Sequence, residues 1–231
     1  CAEASDRERY AEDPEDRNAA GDLVALLTPI SKAWSTDLGV ELSSLGIQIH
    51  GGMGYVEETG VAQFYRDARI APIYEGTNGI QAIDLVMRKV PLRQGAVAAA
   101  LFDQISASID SAPSELTDLA SALESALASL RTATDHLLAS LPADPNQVLA
   151  GATPYLRMFG TALGGWFHLR SAAAASSLIL AGDGDAGFLS GRIAVARFYC
   201  RQLLPQVGGL LPAVLAPETD LAGAGLFPDA Y

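Results

Sequence analysis

Between Ala19 and His50 the residues Leu23, Leu26, Leu27, Ile30, Trp34, Leu38, Leu42, Leu45 and Ile49 recur every three or four positions. That period draws one apolar stripe along an α-helix and predicts its core-facing side. Pro29 lies within it, where a kink is expected. Gly51-Gly52-Met53-Gly54 closes this helix, and Val61 to Ile70 carries a short second one. Gly76-Thr77-Asn78-Gly79 breaks the chain again, before a further helix that starts at Ile80 and that Pro91 ends. The opening stretch, Cys1 to Asn18, is dense in Asp, Glu and Arg and has no period. It reads as a frayed helix end or an exposed linker.

After Gly95 the composition shifts to Ala, Ser and Leu, so two regions are expected, 1–95 and 96–231. The second reads as a helical bundle. Ala98, Leu101, Phe102, Ile105 and Ile109 mark its first helix. Leu116, Ala120, Leu123, Leu127, Leu130, Thr134, Leu137 and Leu141 form a heptad-like seam on the next. A long helix is expected from Asn146 to Ala181, with Gly160, Gly164 and Gly165 allowing close helix contact or a kink. The acids of Gly182-Asp183-Gly184-Asp185 lack the register of a calcium loop and read as a turn. A last helix covers Phe188 to Val207, and the Gly-, Pro- and Leu-rich tail from Gly208 to Tyr231 is expected to be partly ordered against the bundle. The predicted fold class is all-α.

The 231 residues are 49% hydrophobic and 18% charged, a globular composition with a net charge of −12. That charge argues against nucleic acid or an anionic membrane surface as partner. Arg66, Arg69, Arg88, Lys89 and Arg93 make the one basic cluster, which reads as a solvated face. Cys1 and Cys200 are too differently placed to suggest a disulfide, and Cys200 reads as a buried, inert thiol. No signal peptide or membrane-length apolar run is visible, so a cytoplasmic location is expected. Because the chain begins with Cys rather than Met, it is expected to be a piece of a longer protein.

The candidate chemistry lies between Gln48 and Gln81. Gly51 and Gly52 are open to two readings, a helix C-cap with its turn or bare backbone against which a ligand lies. His50 has no second ligand at metal spacing, so no metal site is expected. Glu75 stands just before a glycine turn and a helix start, where it is either a solvated acid or a base beside a ligand cleft.

Together, GIQIHGGMGY and the downstream RDARIAPIYEGTNGIQ resemble the C-terminal catalytic segment of the acyl-CoA dehydrogenases, in particular their long bacterial branch with an extra C-terminal helical region. The likeness runs from about Asp22 to Lys89. It implies an FAD-dependent α,β-dehydrogenation of an acyl-CoA thioester, with Glu75 taking the α-proton and the flavin accepting the β-hydride. A thioester α-proton is weakly acidic, so the base needs strengthening by desolvation and the developing enolate needs hydrogen-bond donors. By the same resemblance Gln48, Gly51, Gly52 and Thr77 contact flavin, and Tyr74 and Gly76 line the acyl thioester. Gln48 and its glycines would serve a flavin held mainly by the neighbouring subunit, so a homo-oligomer is implied. An electron-transfer flavoprotein is the implied acceptor. Gly79 departs from the glutamine of many shorter relatives, and that contact is not carried over.

The family's N-terminal helices and middle β-domain are not in this sequence, so the chain alone is expected neither to hold FAD stably nor to turn over. A non-catalytic helical assembly module and an acyl-CoA oxidase-type relative are the alternatives. The acyl group stays open between medium or long straight chains and methylthiopropionyl.

Overall fold

The computed structural model describes residues 1–216, 218 and 219. Among these residues every regular element is helical, and the chain forms two compact units, the first Cys1–Lys89 and the second opening at Val90.

The first unit is built on one long helix, α2 (Pro14–Ile49), against which α1 (Ala2–Tyr10), α4 (Val61–Arg69) and α5 (Asn78–Asp84) pack. The four-residue α3 (Gly52–Tyr55) follows directly on α2. The opening stretch is thus two helix segments, not a linker. Asp13 accepts a hydrogen bond from the Glu15 amide at 3.0 Å and Pro14 occupies the first turn, a strong start signal. Arg17 donates to the carbonyls of Ala11 and Glu12, and an Arg7–Asp16 ion pair ties α1 to α2. Charges that carry no period here serve as caps and ties.

The apolar stripe of α2 is buried only in its first half. Leu26 and Ile30 are fully covered, along with Ala33 and Pro29, and the helix runs on through Pro29. Leu42, Leu45 and Ile49 are 61%, 50% and 83% exposed, so the period identified an apolar face but not what covers it. Beyond α5 the helix loosens into a π-turn, Leu85–Lys89, with Leu85 and Val86 buried.

In the second unit α9 (Ala152–Ala181) is the axis. Around it stand α6 (Ala96–Asp110), α7 (Thr117–Ser140), α8 (Pro145–Ala150), α10 (Ala186–Gln202) and α11 (Gln206–Leu215). The expected seam of α7 is the buried one, from Leu116 through Leu137. Phe102, Phe159 and Tyr155 fill the centre, with ring centroids 5.5 and 5.9 Å apart along that series. Thr134 spends its hydroxyl proton on the Leu130 carbonyl, so the buried Tyr155 hydroxyl donates to Thr134 Oγ1 at 2.7 Å.

One expectation changes here, and of the two readings of Gly164-Gly165 close contact is the one observed. The helix expected from Asn146 breaks at Gly151, where a Cβ would stand 3.0 Å from the Val214 carbonyl. The glycine pair Gly164-Gly165 does not break α9. At Gly165 the missing Cβ makes room for Leu204. The Gly182–Asp185 stretch is a turn in which Asp185 caps α10. The tail expected to pack on the bundle begins with α11, and from residue 220 onward it lies outside the described residues.

Candidate active site

Glu75 sits in the loop between α4 and α5 with φ 55, in the left-handed region. Only Arg93 and Gln94 share that trait among the described non-glycine residues. Gly76 follows at φ 80, so two successive residues turn the backbone left-handed. A Cβ at such an angle meets the following carbonyl, which makes the conformation cheap for glycine and costly for glutamate. Strained acids of this kind persist where surrounding bonds hold them.

The bonds are specific. Gln81 Nε2 donates to the Glu75 carbonyl at 3.1 Å. Lys32, on α2, donates from Nζ to the Gly76 carbonyl at 2.7 Å and to Asn78 Oδ1 at 2.8 Å. Asn78 Nδ2 in turn donates to the Ala33 carbonyl, to Thr36 Oγ1 and to Asp37 Oδ1, the last at 2.7 Å. The Asn78 amide proton closes the loop onto the Pro72 carbonyl at 3.0 Å. Thr77 caps α5, its Oγ1 accepting from the Ile80 amide at 3.3 Å. The turn is fastened at both carbonyls and at the helix that follows. The Glu75 carboxylate itself is exposed and has no partner among the described residues.

The other candidate loop lies at the end of α2. Gly51 is left-handed at φ 60, and neither Gly51 nor Gly52 has any atom within 4 Å of the place a Cβ would take. Gly54 is different, because its Cβ would meet the Ile47 carbonyl at 2.3 Å. Gly54 is a packing glycine, while Gly52 has no internal reason to be bare. A flat ligand needs that kind of open backbone, and exposed Gln48 stands beside it. His50 uses Nδ1 on the Gly46 carbonyl at 2.9 Å, a local helix-end contact.

The structure thus joins Glu75, Gly76 and Thr77 in one turn with exposed Tyr74 beside it. It does not bring Gln48, Gly51 and Gly52 to that turn. The Glu75 loop is bolted to α2 at Ala33–Asp37, and Gln48 stands about 20 Å further along the helix at 1.5 Å per residue. Sequence reasoning missed Lys32 and the role of Asn78. A lone lysine beside Ile30 and Ala33 shows no motif, and its partner lies 46 positions away.

Two family profiles match. "Acyl-CoA dehydrogenase, C-terminal domain" covers residues 9–90 and "Acetyl-CoA dehydrogenase C-terminal like" covers residues 101–224. The chain belongs to the acyl-CoA dehydrogenase family. A 3-methylmercaptopropionyl-CoA dehydrogenase of Ruegeria pomeroyi is 46% identical over 83% of this chain and 33% of its own length. A broad-specificity linear acyl-CoA dehydrogenase, FadE5, of Mycobacterium tuberculosis is 30% identical over 85% and 34%. The crystal structure of Caenorhabditis elegans ACDH-11 in complex with C11-CoA superposes with a TM-score of 0.60 at 24% identity, over 80% of this chain and 30% of that one, and shares its fold. The chain spans about a third of the length of these relatives.

Proposed function

We propose that this chain is the C-terminal catalytic portion of an FAD-dependent acyl-CoA dehydrogenase, with Glu75 as the base that takes the α-proton of the thioester. The observation that carries the reading is an exposed glutamate, without a side-chain partner among the described residues, held left-handed by bonds to its own carbonyl and to that of Gly76. A surface acid without a task has no need of such fastening. When bound, the flavin supplies the acceptor for the β-hydride. Of this chain's residues, Gln48, Gly51, Gly52 and Thr77 hold flavin, and Tyr74 and Gly76 line the thioester. The open space over Gly51 and Gly52 supports the first group.

One chain's Glu75 and Gln48 loops are about 20 Å apart along α2. That separation favours a homo-oligomer in which each flavin site takes its Glu75 turn from one subunit and its Gln48 loop from the next. The exposed apolar face of α2 at Leu42, Leu45 and Ile49 gives such a neighbour something to cover. Electrons leave to an electron-transfer flavoprotein, in the cytoplasm. For substrate we favour a short acyl-CoA bearing a β-thioether, since the 3-methylmercaptopropionyl-CoA enzyme is 46% identical and the straight-chain relatives 28–30%.

The test is anaerobic bleaching of the full-length flavoprotein by 3-methylthiopropionyl-, butyryl-, octanoyl- and palmitoyl-CoA. Bleaching fastest with the thioether, and lost in Glu75→Gln, supports both base and substrate. A Glu75→Gln protein that bleaches at the native rate overturns the assignment of the base.

A further inference from the structure

Lys32 pairs with no carboxylate among the described residues. Its ammonium is committed to the turn that carries Glu75, at 2.7 Å from the Gly76 carbonyl and 2.8 Å from Asn78 Oδ1. The Asn78 amide has one chemically sensible orientation here. Its oxygen faces an ammonium and its nitrogen faces the Asp37 carboxylate and the Ala33 carbonyl, and a reversed amide would set donor against donor and acceptor against acceptor. Thr36 completes the arrangement, its hydroxyl donating to the Lys32 carbonyl at 2.7 Å and accepting from Asn78 Nδ2 at 2.9 Å. All of these α2 groups lie within Lys32–Asp37, so a single stretch of helix grips the loop.

From this geometry we infer that Lys32, braced by Asn78, is the positioning residue for the base: through the Gly76 carbonyl it holds the Glu75–Gly76 turn left-handed and so fixes where the carboxylate is presented. The inference rests on the reading of Glu75 as base. A lysine suits the task because a hydrogen bond from a charged donor is roughly twice as strong as a neutral one. Gln81 supplies only a neutral donor, and to the preceding carbonyl. Without the ammonium, the Gly76 peptide is free to rotate and the glutamate to relax to the right-handed region it prefers. The carboxylate then swings away by an ångström or more, a displacement that costs on the order of 100-fold in rate where geometry is critical. The chemical step depends directly on where the carboxylate stands, so the loss falls mainly on kcat, and KM moves only as far as the Gly76 contact with the thioester is disturbed.

The experiment uses the full-length, flavin-loaded enzyme with Lys32→Met, Lys32→Arg, Asn78→Ala and Glu75→Gln. Lys32→Met is expected to lower kcat about 10- to 100-fold. KM changes less than kcat, flavin content and melting temperature stay near native, and Lys32→Arg recovers much of the loss. A second readout isolates the proton step. In deuterium oxide, 3,3-dimethylbutyryl-CoA has α-hydrogens but no β-hydride to give, so exchange measures C–H cleavage by the carboxylate and return of a deuteron. Exchange should slow by the same factor. If Lys32→Met does not accumulate, Asn78→Ala is expected to show a smaller loss of the same kind, because it removes the brace that aims the ammonium while leaving the Gly76 contact itself. Native kcat and native exchange in these variants overturn the inference. So does a loss matched by lost flavin or lowered melting temperature that arginine fails to restore. Glu75→Gln separates the two levels. If it is inactive while Lys32→Met is native, only the positioning role falls, whereas native activity in Glu75→Gln removes the base itself.

Discussion

Replacing Glu75 by glycine should make the protein more stable and inactive. The left-handed conformation costs a residue with a Cβ about 1–2 kcal/mol, and glycine about nothing. Glycine also gives the unfolded chain more freedom, which returns about 0.4–1 kcal/mol. The carboxylate has no partner among the described residues and is exposed, so little contact energy is lost with it. The net gain for Glu75→Gly is about 0.5–1 kcal/mol. In a chain of 231 residues that raises the melting temperature by about 1–4 °C. Glu75→Ala keeps the Cβ and the strain, so it should melt near the native temperature while being equally inactive in the flavin-loaded enzyme. Thermal and urea denaturation of native, glycine and alanine forms, followed by far-UV circular dichroism, read the difference. If glycine is no more stable than alanine, the turn is not held left-handed at a cost. Strain at residue 75 would then be no part of how the acid is set.

Four further outcomes are expected. Gly52→Ala should leave stability within about 0.5 kcal/mol, since no atom lies within 4 Å of the new Cβ, yet lower flavin retention of the full-length enzyme on dialysis. Gly54→Ala should destabilise by about 1–3 kcal/mol in denaturant titration, because its Cβ runs into the Ile47 carbonyl. Burial, with the Asp118 carboxylate adding to it, pushes the Cys200 thiol up from 9.0 to about 11. A folded-state pKa raised in this way contributes stability that is complete below pH 9 and lost as pH rises through 11, so Cys200→Ala should flatten alkaline destabilisation over that window by about 2 kcal/mol. Finally, mixed oligomers of inactive Glu75→Gln and inactive Gln48→Ala/Gly52→Val subunits should regain activity. A site shared between subunits leaves one of the two sites in a mixed pair with both native loops. Activity no greater than the sum of the parents would mean that each site takes its Glu75 and its Gln48 from one and the same chain.

The fold was legible wherever a helix buries a face within its own unit. Leu116 through Leu137 show the period and are buried, and so are Leu26 and Ile30. Legibility failed where a residue's partner is distant in sequence or charge does a local structural task. Arg17, Asp13 and Asp16 look like solvated linker charges, and they cap and tie α1 and α2. Gly151 looks like one more residue of a long helix, and the helix is interrupted there, at a place where the Val214 carbonyl comes within 3.0 Å of where a Cβ would stand. In the site, glycine spacing pointed to the turn around Glu75, but no pattern could reveal that Lys32 reaches it. The contact joins residues 44 positions apart, and nothing in a lysine's neighbours announces which carbonyl it will meet.

On the proposed reading one helix serves two tasks separated along its length. Its first half is a rigid rail whose residues Lys32–Asp37 grip the acid's loop, with Leu26, Ile30 and Ala33 burying the side next to it. Its second half leaves an apolar face uncovered and ends in the bare backbone of Gly51 and Gly52. A rail of this kind converts distance into assembly. If each flavin needs both a glutamate turn and a glycine loop, and one chain holds them about 20 Å apart, the requirement is met by pairing chains. The same apolar residues that make the second half a poor surface in isolation then make it a good interface, since burying them is what brings the glycine loop to the neighbour's turn. On this account Leu42, Leu45 and Ile49 and the proposed base Glu75 answer to a single constraint.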